Sequence, residues 1–265
     1  MKVNSNSLDS KIIVIAGGVG PAAGVDLHRL IIENTPLVYK DQDHLRVIHL
    51  SLSDLIPDRT ESLKTHTPHI PALNMASLIE SIIPTCHYYH THAVVGIPCN
   101  TFHAEPIFSK FLEAMAPFKE TISVINMIEE TINHLSQIVE HNESIGIMST
   151  TGTRTFRLYD NPLEKRGYKV IHPADQEKIH SSIYHPDWGI KAVSGESQEN
   201  KLILIDALEE LYQKGVKAII LGCTEIPLVL KATQYKGIPL VNPVVLLASA
   251  LIKGAGRETL PFIKE

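Results

Sequence analysis

Two strings in the 265-residue chain combine residue types that can move a proton: Ile97-Pro98-Cys99-Asn100-Thr101 and Leu221-Gly222-Cys223-Thr224-Glu225. Each closes an apolar run, Ala93–Ile97 in one case and Ala218–Leu221 in the other, and each turns at once to a cysteine followed by small polar residues. An apolar run that stops at Gly or Pro reads as a buried strand, and α/β proteins place their sites just beyond such strand ends. Buried cysteine is common in cores, but both of these thiols follow their strand instead of lying within it. A thiol at a helix N-terminus meets unpaired backbone N–H groups and the positive end of the dipole, which predicts a lowered pKa. Thr101 and Thr224 are placed to cap those helices or to donate to a bound carboxylate. Paired thiols at matching strand ends predict a thiol acid facing a thiol base across a cleft.

The elements that position these strings come in two similar series. Ile12–Ile15 reads as a buried strand running into Gly17-Gly18-Val19-Gly20-Pro21, and Val25, Leu27, Leu30 and Ile31 mark the apolar face of a following helix. Val47–Leu50 reads as a strand, residues 72–83 as a helix, and 93–97 as the strand before Cys99. The pattern restarts with the strand Ser144–Met148 and the turn Ser149-Thr150-Thr151-Gly152-Thr153. Tyr168–Ile171, a helix over Leu202–Tyr212 and the strand 218–221 before Cys223 complete it. The interval from Gly20 to Gly152 nearly equals that from Cys99 to Cys223, so the chain reads as an internal duplication. Residues 1–10 read as a short disordered lead.

Composition narrows the classes of function. The chain is 44% apolar and 20% charged, as in ordinary soluble globular proteins. A net charge of −5 provides no basic excess to hold a phosphate backbone, so no nucleic-acid partner is expected. No apolar stretch approaches the ~18 residues of a membrane span, and Met1–Lys11 lacks the apolar core of a signal peptide. Three cysteines make no disulfide framework, which favours a reducing, cytoplasmic setting.

Other candidates carry less. Cys86 lies in Thr85-Cys86-His87-Tyr88-Tyr89-His90-Thr91-His92, a stretch with metal-ligating residue types. Its ligand spacing is irregular and no second cluster completes it, so no metal site is expected. Gly18–Gly24 spaces its glycines as G-x-G-x-x-x-G, with Pro21 where a phosphate-binding amide is wanted and no acidic residue about 20 positions on. The turn suits a small anionic substrate better than a dinucleotide. Clustered hydroxyls and amides at Thr150-Thr151-Gly152-Thr153 suit an α-carboxylate. Arg59 and Lys191 read as ordinary surface residues by spacing alone.

Taken together these strings resemble the aspartate/glutamate racemase superfamily, and most of all its aspartate racemase branch. The resemblance rests on Gly17–Pro21, Pro57-Asp58-Arg59-Thr60, Pro98–His103, Met127–Thr131, Thr150–Thr153, Ile183-Tyr184 with Gly189–Ala192, and Leu221–Glu225, and it extends from about Ile12 to about Leu251. It implies an α/β fold of two pseudo-symmetric doubly wound parallel-sheet domains with the active site in the cleft between them. An N-terminal lobe would span 1–115, rejoined by about 238–265, and a C-terminal lobe 116–237. It further implies a homodimer that racemises an acidic amino acid without cofactor or metal. By that similarity Cys99 and Cys223 are the acid/base pair, and Asn100, Thr101, Thr151, Thr153 and Thr224 hold the α-carboxylate and amine. Arg59 and Lys191 hold the side-chain carboxylate, and Glu225 belongs to the substrate-binding set. The chain departs from the common pattern at Val19, where relatives carry Met, and at Gly24, where they carry Thr. The His-rich segment 86–92 and Trp188 beside Lys191 are also particular to it. Related decarboxylases, hydantoin racemases and maleate-type isomerases are the rival enzymes, and a catalytically silent binder of acidic amino acids is the rival from another class. Retention of both cysteines argues against a decarboxylase, and Thr224-Glu225 fits a maleate-type isomerase less well.

Overall fold

The computed structural model describes residues 10–260, so the expected disordered lead falls, apart from Ser10, outside the described residues. In chain order the main elements are β1 (Ile12–Ala16), α1 (Pro21–Asn34), β2 (Val47–Leu50), α2 (Arg59–Lys64), α3 (His69–Glu80), α4 (Ile83–Tyr88), β3 (Ala93–Gly96), α5 (Glu105–Met115) and β4 (Ile122–Ile125). They continue as α6 (Met127–Ile138), β5 (Ser144–Ser149), α7 (Thr151–Thr155), α8 (Asp160–Lys165), β6 (Lys169–Ile171), α9 (Gln176–Tyr184), α10 (Ile190–Val193) and α11 (Gln198–Gln213). The last four are β7 (Ala218–Gly222), β8 (Gln234–Tyr235), β9 (Ile238–Val241) and α12 (Pro243–Gly254).

Within the described residues these elements divide into two compact units, one of residues 10–98, 105–127 and 244–260, the other of 99–104 and 128–243. Strand order in the first sheet is β2-β1-β3-β4 and in the second β6-β5-β7-β9-β8. Every pairing is parallel except the short antiparallel edge β8–β9. The first three strands of each series therefore pair in the same order, second-first-third, and a later strand, β4 or β9, adds parallel to the third, which is the duplication read from the turns. The third strand of each series, β3 or β7, is the one that delivers a cysteine. The unit boundaries differ from the expected lobes. Residues 116–127 stay with the first unit because β4 pairs in register with β3, Ala93 opposite Ile122. Residues 238–243 stay with the second because Leu240 and Val241 of β9 pair with Ile219 and Ile220.

Each unit buries its own core. In the first, Ile13 and Ile15 of β1 and Val94 of β3 pack with Leu27, Leu30 and Ile31 of α1 and with Leu247 and Leu251 of α12. The alternation of side chains along a strand sends the intervening β1 residues to the other face, where α3 meets β1 and α5. In the second, Met148, Ile219 and Leu221 pack with Ile179 and Ile183 of α9 and Leu204, Leu208 and Leu211 of α11. No helix among the described residues is long and apolar enough to cross a membrane.

Several local expectations are corrected. Val25 is 63% exposed, whereas Ala23, Leu27, Leu30 and Ile31 are buried; at about 100° per residue Val25 stands roughly opposite both Ala23 and Leu27. The single helix expected over 72–83 is two, α3 and α4. Pro84 has no N–H to give to Glu80, so the first helix ends there. The helix expected from Leu202 starts at Gln198, because Ser197 Oγ accepts from the Asn200 N–H at 3.1 Å while Asn200 Oδ1 accepts from the Ser197 N–H at 3.0 Å.

At the glycine-rich turn, Gly18 has φ +81° and Gly17 N–H donates to Leu50 O at 2.9 Å. Gly24 lies on the buried face of α1, and a Cβ there would stand 2.5 Å from His49 Nε2. The imidazole thus occupies the space that a larger residue at 24 would need. Gly24→Ala sets a gain of roughly 1 kcal/mol in helix propensity against an overpacking cost of about 1–3 kcal/mol. The expected result in urea melts is a net loss, relieved when His49→Ala is added; an unchanged midpoint for Gly24→Ala contradicts it.

Candidate active site

Both cysteine strings arise where a buried parallel strand runs out. All four residues of β3 and all five of β7 are buried, so the chain can present polar groups only once it has passed the sheet edge. After β3 it turns at Cys99-Asn100 into a 3-10 turn over Thr101–His103; after β7 it turns at Cys223–Glu225 into another over Ile226–Leu228. Segment 99–104 belongs to the second unit, so both thiols are part of the same compact body. Each is 6% exposed.

These turns are three residues long, not α-helices, and neither has a side-chain cap. So short a turn sums too few peptide dipoles to tune a thiol, and the hydroxyls expected to cap are used elsewhere. Thr224 Oγ1 donates to Glu225 Oε2 at 3.1 Å, and Thr101 Oγ1 lies 3.3 Å from Thr153 Oγ1. Thr153 is in turn tied to Thr150, whose Oγ1 accepts from the Thr153 N–H at 3.5 Å and caps α7.

Glu225 organises one side of the site. Its carboxylate is 4% exposed and accepts three donors: Lys191 Nζ on Oε1, then Cys223 Sγ at 3.0 Å and Thr224 Oγ1 on Oε2. Burial alone would raise its pKa, but Lys191 and the thiol and hydroxyl donors outweigh it, and the carboxyl is held below the ordinary glutamate value. Lys191 is the counterpart: burial works against its charge, yet Glu225 above all keeps the ammonium above the ordinary lysine value, and negative charge on the sulfur of Cys223 or Cys99 works the same way. Both Cys99 and Cys223 act on that one ammonium.

The pKa expectation for Cys223 reverses. Burial pushes its thiol well above the usual range, and the Glu225 charge pushes the same way against a weaker pull from Lys191. Cys223 is therefore a protonated thiol that donates to a carboxylate. Glu225→Gln removes the adjacent negative charge and leaves the ammonium to favour a thiolate, so the Cys223 titration should move to lower pH. Thiolate absorbance against pH in a Cys86→Ala, Cys99→Ser background reads this directly; an unmoved or higher midpoint contradicts the assignment.

Opposite in character is the cluster around Asn100 and Thr151. Asn100, 3% exposed, accepts the Tyr159 hydroxyl on Oδ1 at 2.5 Å. Its Nδ2 is buried without a partner, and so is Thr151 Oγ1. The Thr151 N–H points to His180 Nδ1 at 3.5 Å. An unmade buried hydrogen bond costs about 1–3 kcal/mol; one of the two adjoins Cys99 in the chain and the other lies two residues before Thr153, the partner of Thr101, and together they mark a place built for an oxygen-rich ligand.

The structure thus brings Cys99, Asn100, Thr101, Thr151, Thr153, Lys191, Cys223, Thr224 and Glu225 into the second unit. Arg59 belongs to the first. Asp58 caps its helix by accepting from the Glu61 N–H at 2.8 Å, and the Arg59 guanidinium donates to Val19 O at 2.9 Å, which ties it to the glycine-rich turn. Sequence reasoning missed Tyr159 and His180. It also missed that Tyr184, noted only within a motif, lies under Lys191 Nζ at 5.2 Å and stacks on His180 at 4.8 Å. Nothing in local spacing separates these aromatic residues from ordinary core. Cys86 is buried in α4, with its thiol pushed up by burial. Among the described residues no group of three or more His, Cys, Asp or Glu is placed to hold a metal ion.

Comparison with known proteins gives a consistent result. Residues 16–251 match the profile of the Asp/Glu/hydantoin racemase family. A protein of Pectobacterium carotovorum subsp. carotovorum, described only as an uncharacterized protein in the pnlA 3' region, is 32% identical over 114 residues, 42% of this chain and 69% of that protein. The solved aspartate racemase of Picrophilus torridus superposes with a TM-score of 0.73 at 25% identity, covering 94% of this chain and 96% of that one. Glutamate racemase from Francisella tularensis subsp. tularensis, solved with D-glutamate, shares the fold with a TM-score of 0.59 at 15% identity over 92% of this chain and 81% of its own.

Proposed function

Because the chain belongs to the Asp/Glu/hydantoin racemase family, we propose that it racemises an acidic amino acid, aspartate before glutamate, with Cys99 and Cys223 as the acid/base pair and no cofactor. The observation that carries this reading is the pair of strand-end thiols in one unit, one of them held protonated on Glu225. The similarity to the Picrophilus torridus aspartate racemase supports aspartate as the first substrate to try.

Racemisation removes the Cα proton on one face and returns a proton on the other, which a single group cannot reach. With Cys223 as thiol, Cys99 acts as thiolate: it takes the Cα proton, and Cys223 gives its own to the opposite face. Cys99 ends as thiol and Cys223 as thiolate, the state from which the reverse direction starts. Between the two transfers the electron pair of the broken C–H bond is spread into the α-carboxylate. Donors aimed at that carboxylate carry much of the rate enhancement, and Asn100 Nδ2 and Thr151 Oγ1 are two uncommitted groups that can serve. Lys191 offers charge to the distal carboxylate, although Glu225 already neutralises part of it. That pairing favours one second reading, a family substrate with a neutral ring such as a hydantoin.

The test is proton exchange in D₂O with L-aspartate, L-glutamate, neutral amino acids and a hydantoin, followed by NMR and chiral chromatography. Deuterium at Cα with the D-isomer of an acidic amino acid supports the reading. Exchange with the hydantoin alone replaces it with the second one, and no exchange from folded, reduced protein overturns both.

A further inference from the structure

We propose that Tyr159 is a positioning residue that fixes the Asn100 side-chain amide so that its NH₂ group, and not its oxygen, faces the ligand. The substrate part of this inference rests on the racemase reading above; the orientation of the amide does not.

Tyr159 immediately precedes α8 and is fully buried. Its hydroxyl donates to Asn100 Oδ1 at 2.5 Å. The side chain of Thr131, on α6, hydrogen-bonds the same phenol. A phenol has one proton; with that proton on Asn100 Oδ1, the Thr131 hydroxyl must be the donor to the phenol oxygen. Burial pushes the Tyr159 hydroxyl far above the ordinary tyrosine value, so it remains a donor at every working pH. Three elements far apart in sequence are thereby joined by one directional chain: Thr131 to Tyr159 to Asn100.

Its consequence is chemical. An asparagine amide carries a donor and an acceptor that exchange places on a half-turn about its last bond. With Oδ1 held by Tyr159, the half-turn would break that bond, and Nδ2 is left buried and unpartnered. A donor in that place attracts a carboxylate oxygen; the amide oxygen in the same place would repel it. Because negative charge on the α-carboxylate grows as the Cα proton leaves, an amide held donor-outward stabilises the transition state more than the bound substrate.

The test is a double-mutant cycle of Tyr159→Phe and Asn100→Ala, read as kcat and KM for the acidic amino acid that exchanges. Tyr159→Phe should lower kcat about 10-fold or more with a smaller change in KM. In the Asn100→Ala background the same substitution should change kcat less than about twofold. Equal losses in both backgrounds would mean that Tyr159 serves only packing, and would overturn the proposal. A second measurement uses the wild-type chain with 15N labelling. The Asn100 side-chain NH₂ signals, identified as the pair missing from Asn100→Ala, should shift on titration with succinate and not with succinamide. Shifts with neither, or a Tyr159→Phe spectrum in which those signals do not move, overturn the amide orientation. If wild type exchanges no Cα proton but the succinate shift appears, the racemase reading has failed and the positioning role stands.

Discussion

Serine at either Cys99 or Cys223 should abolish racemisation in both directions, with losses in kcat/KM of roughly 10²–10⁴-fold, the scale of one general acid or base. Serine keeps the shape and a donor but holds its proton far more tightly than a thiol, so it is a poor base and, after giving up a proton, a costly anion. Cys223→Ser tests the idea cleanly, because a hydroxyl can still donate to Glu225 Oε2, where the thiol donates at 3.0 Å. The fold should therefore survive, and thermal melts should confirm an intact protein while deuterium incorporation at Cα is lost. Turnover above about a tenth of wild type in either variant is incompatible with a two-thiol mechanism.

Lys191→Met should be the most damaging change to stability, about 3–5 kcal/mol near neutral pH, because it strands a buried carboxylate. Glu225 is 4% exposed, and Lys191 is its cationic partner. The pH dependence gives the sign. In the wild type the folded carboxyl is below its ordinary value despite burial, so the pair's contribution is complete above the unfolded pKa of about 4.3 and is lost as pH falls through the folded value. Without the ammonium, burial prevails, the folded carboxyl rises above its unfolded value, and the protonated form is the one the fold tolerates. The gap between wild type and variant should accordingly shrink on acidification. Urea denaturation near pH 7 and near pH 4 measures it. A loss below about 1 kcal/mol at neutral pH, or one that does not change with pH, removes Lys191 as the partner that Glu225 depends on.

Much of the architecture was legible in the chain itself. Runs such as Ile12–Ile15, Ala93–Ile97 and Ala218–Leu221 are apolar on both faces, which only a strand covered on both sides requires. Their sharp ends at Gly or Pro located the two cysteines at the strand ends. The matched intervals between turns and cysteines announced the duplication, and the order second-first-third that the first three strands of each series share agrees with it. Helix limits were less accessible. Val25 has the right chemistry for a buried face but the wrong angle, and the break at Glu80 depends on the missing N–H of Pro84, four residues further on.

What the sequence determined by itself was whatever depends on neighbours along the chain: which segments must be buried, where they stop, and which residue types stand there. Only the tertiary structure decided which of those residues meet. Lys191 and Glu225, Asn100 and Tyr159, and Thr101 and Thr153 are each brought together from distant segments, in contacts that no periodicity encodes. The ionisation of Cys223 shows the consequence. Local reasoning expected a helix end to lower its pKa, yet a three-residue turn has little dipole, and a buried carboxylate 3.0 Å away pushes the proton on. Coulomb energy and desolvation depend on distance through space, and the folded chain sets those distances.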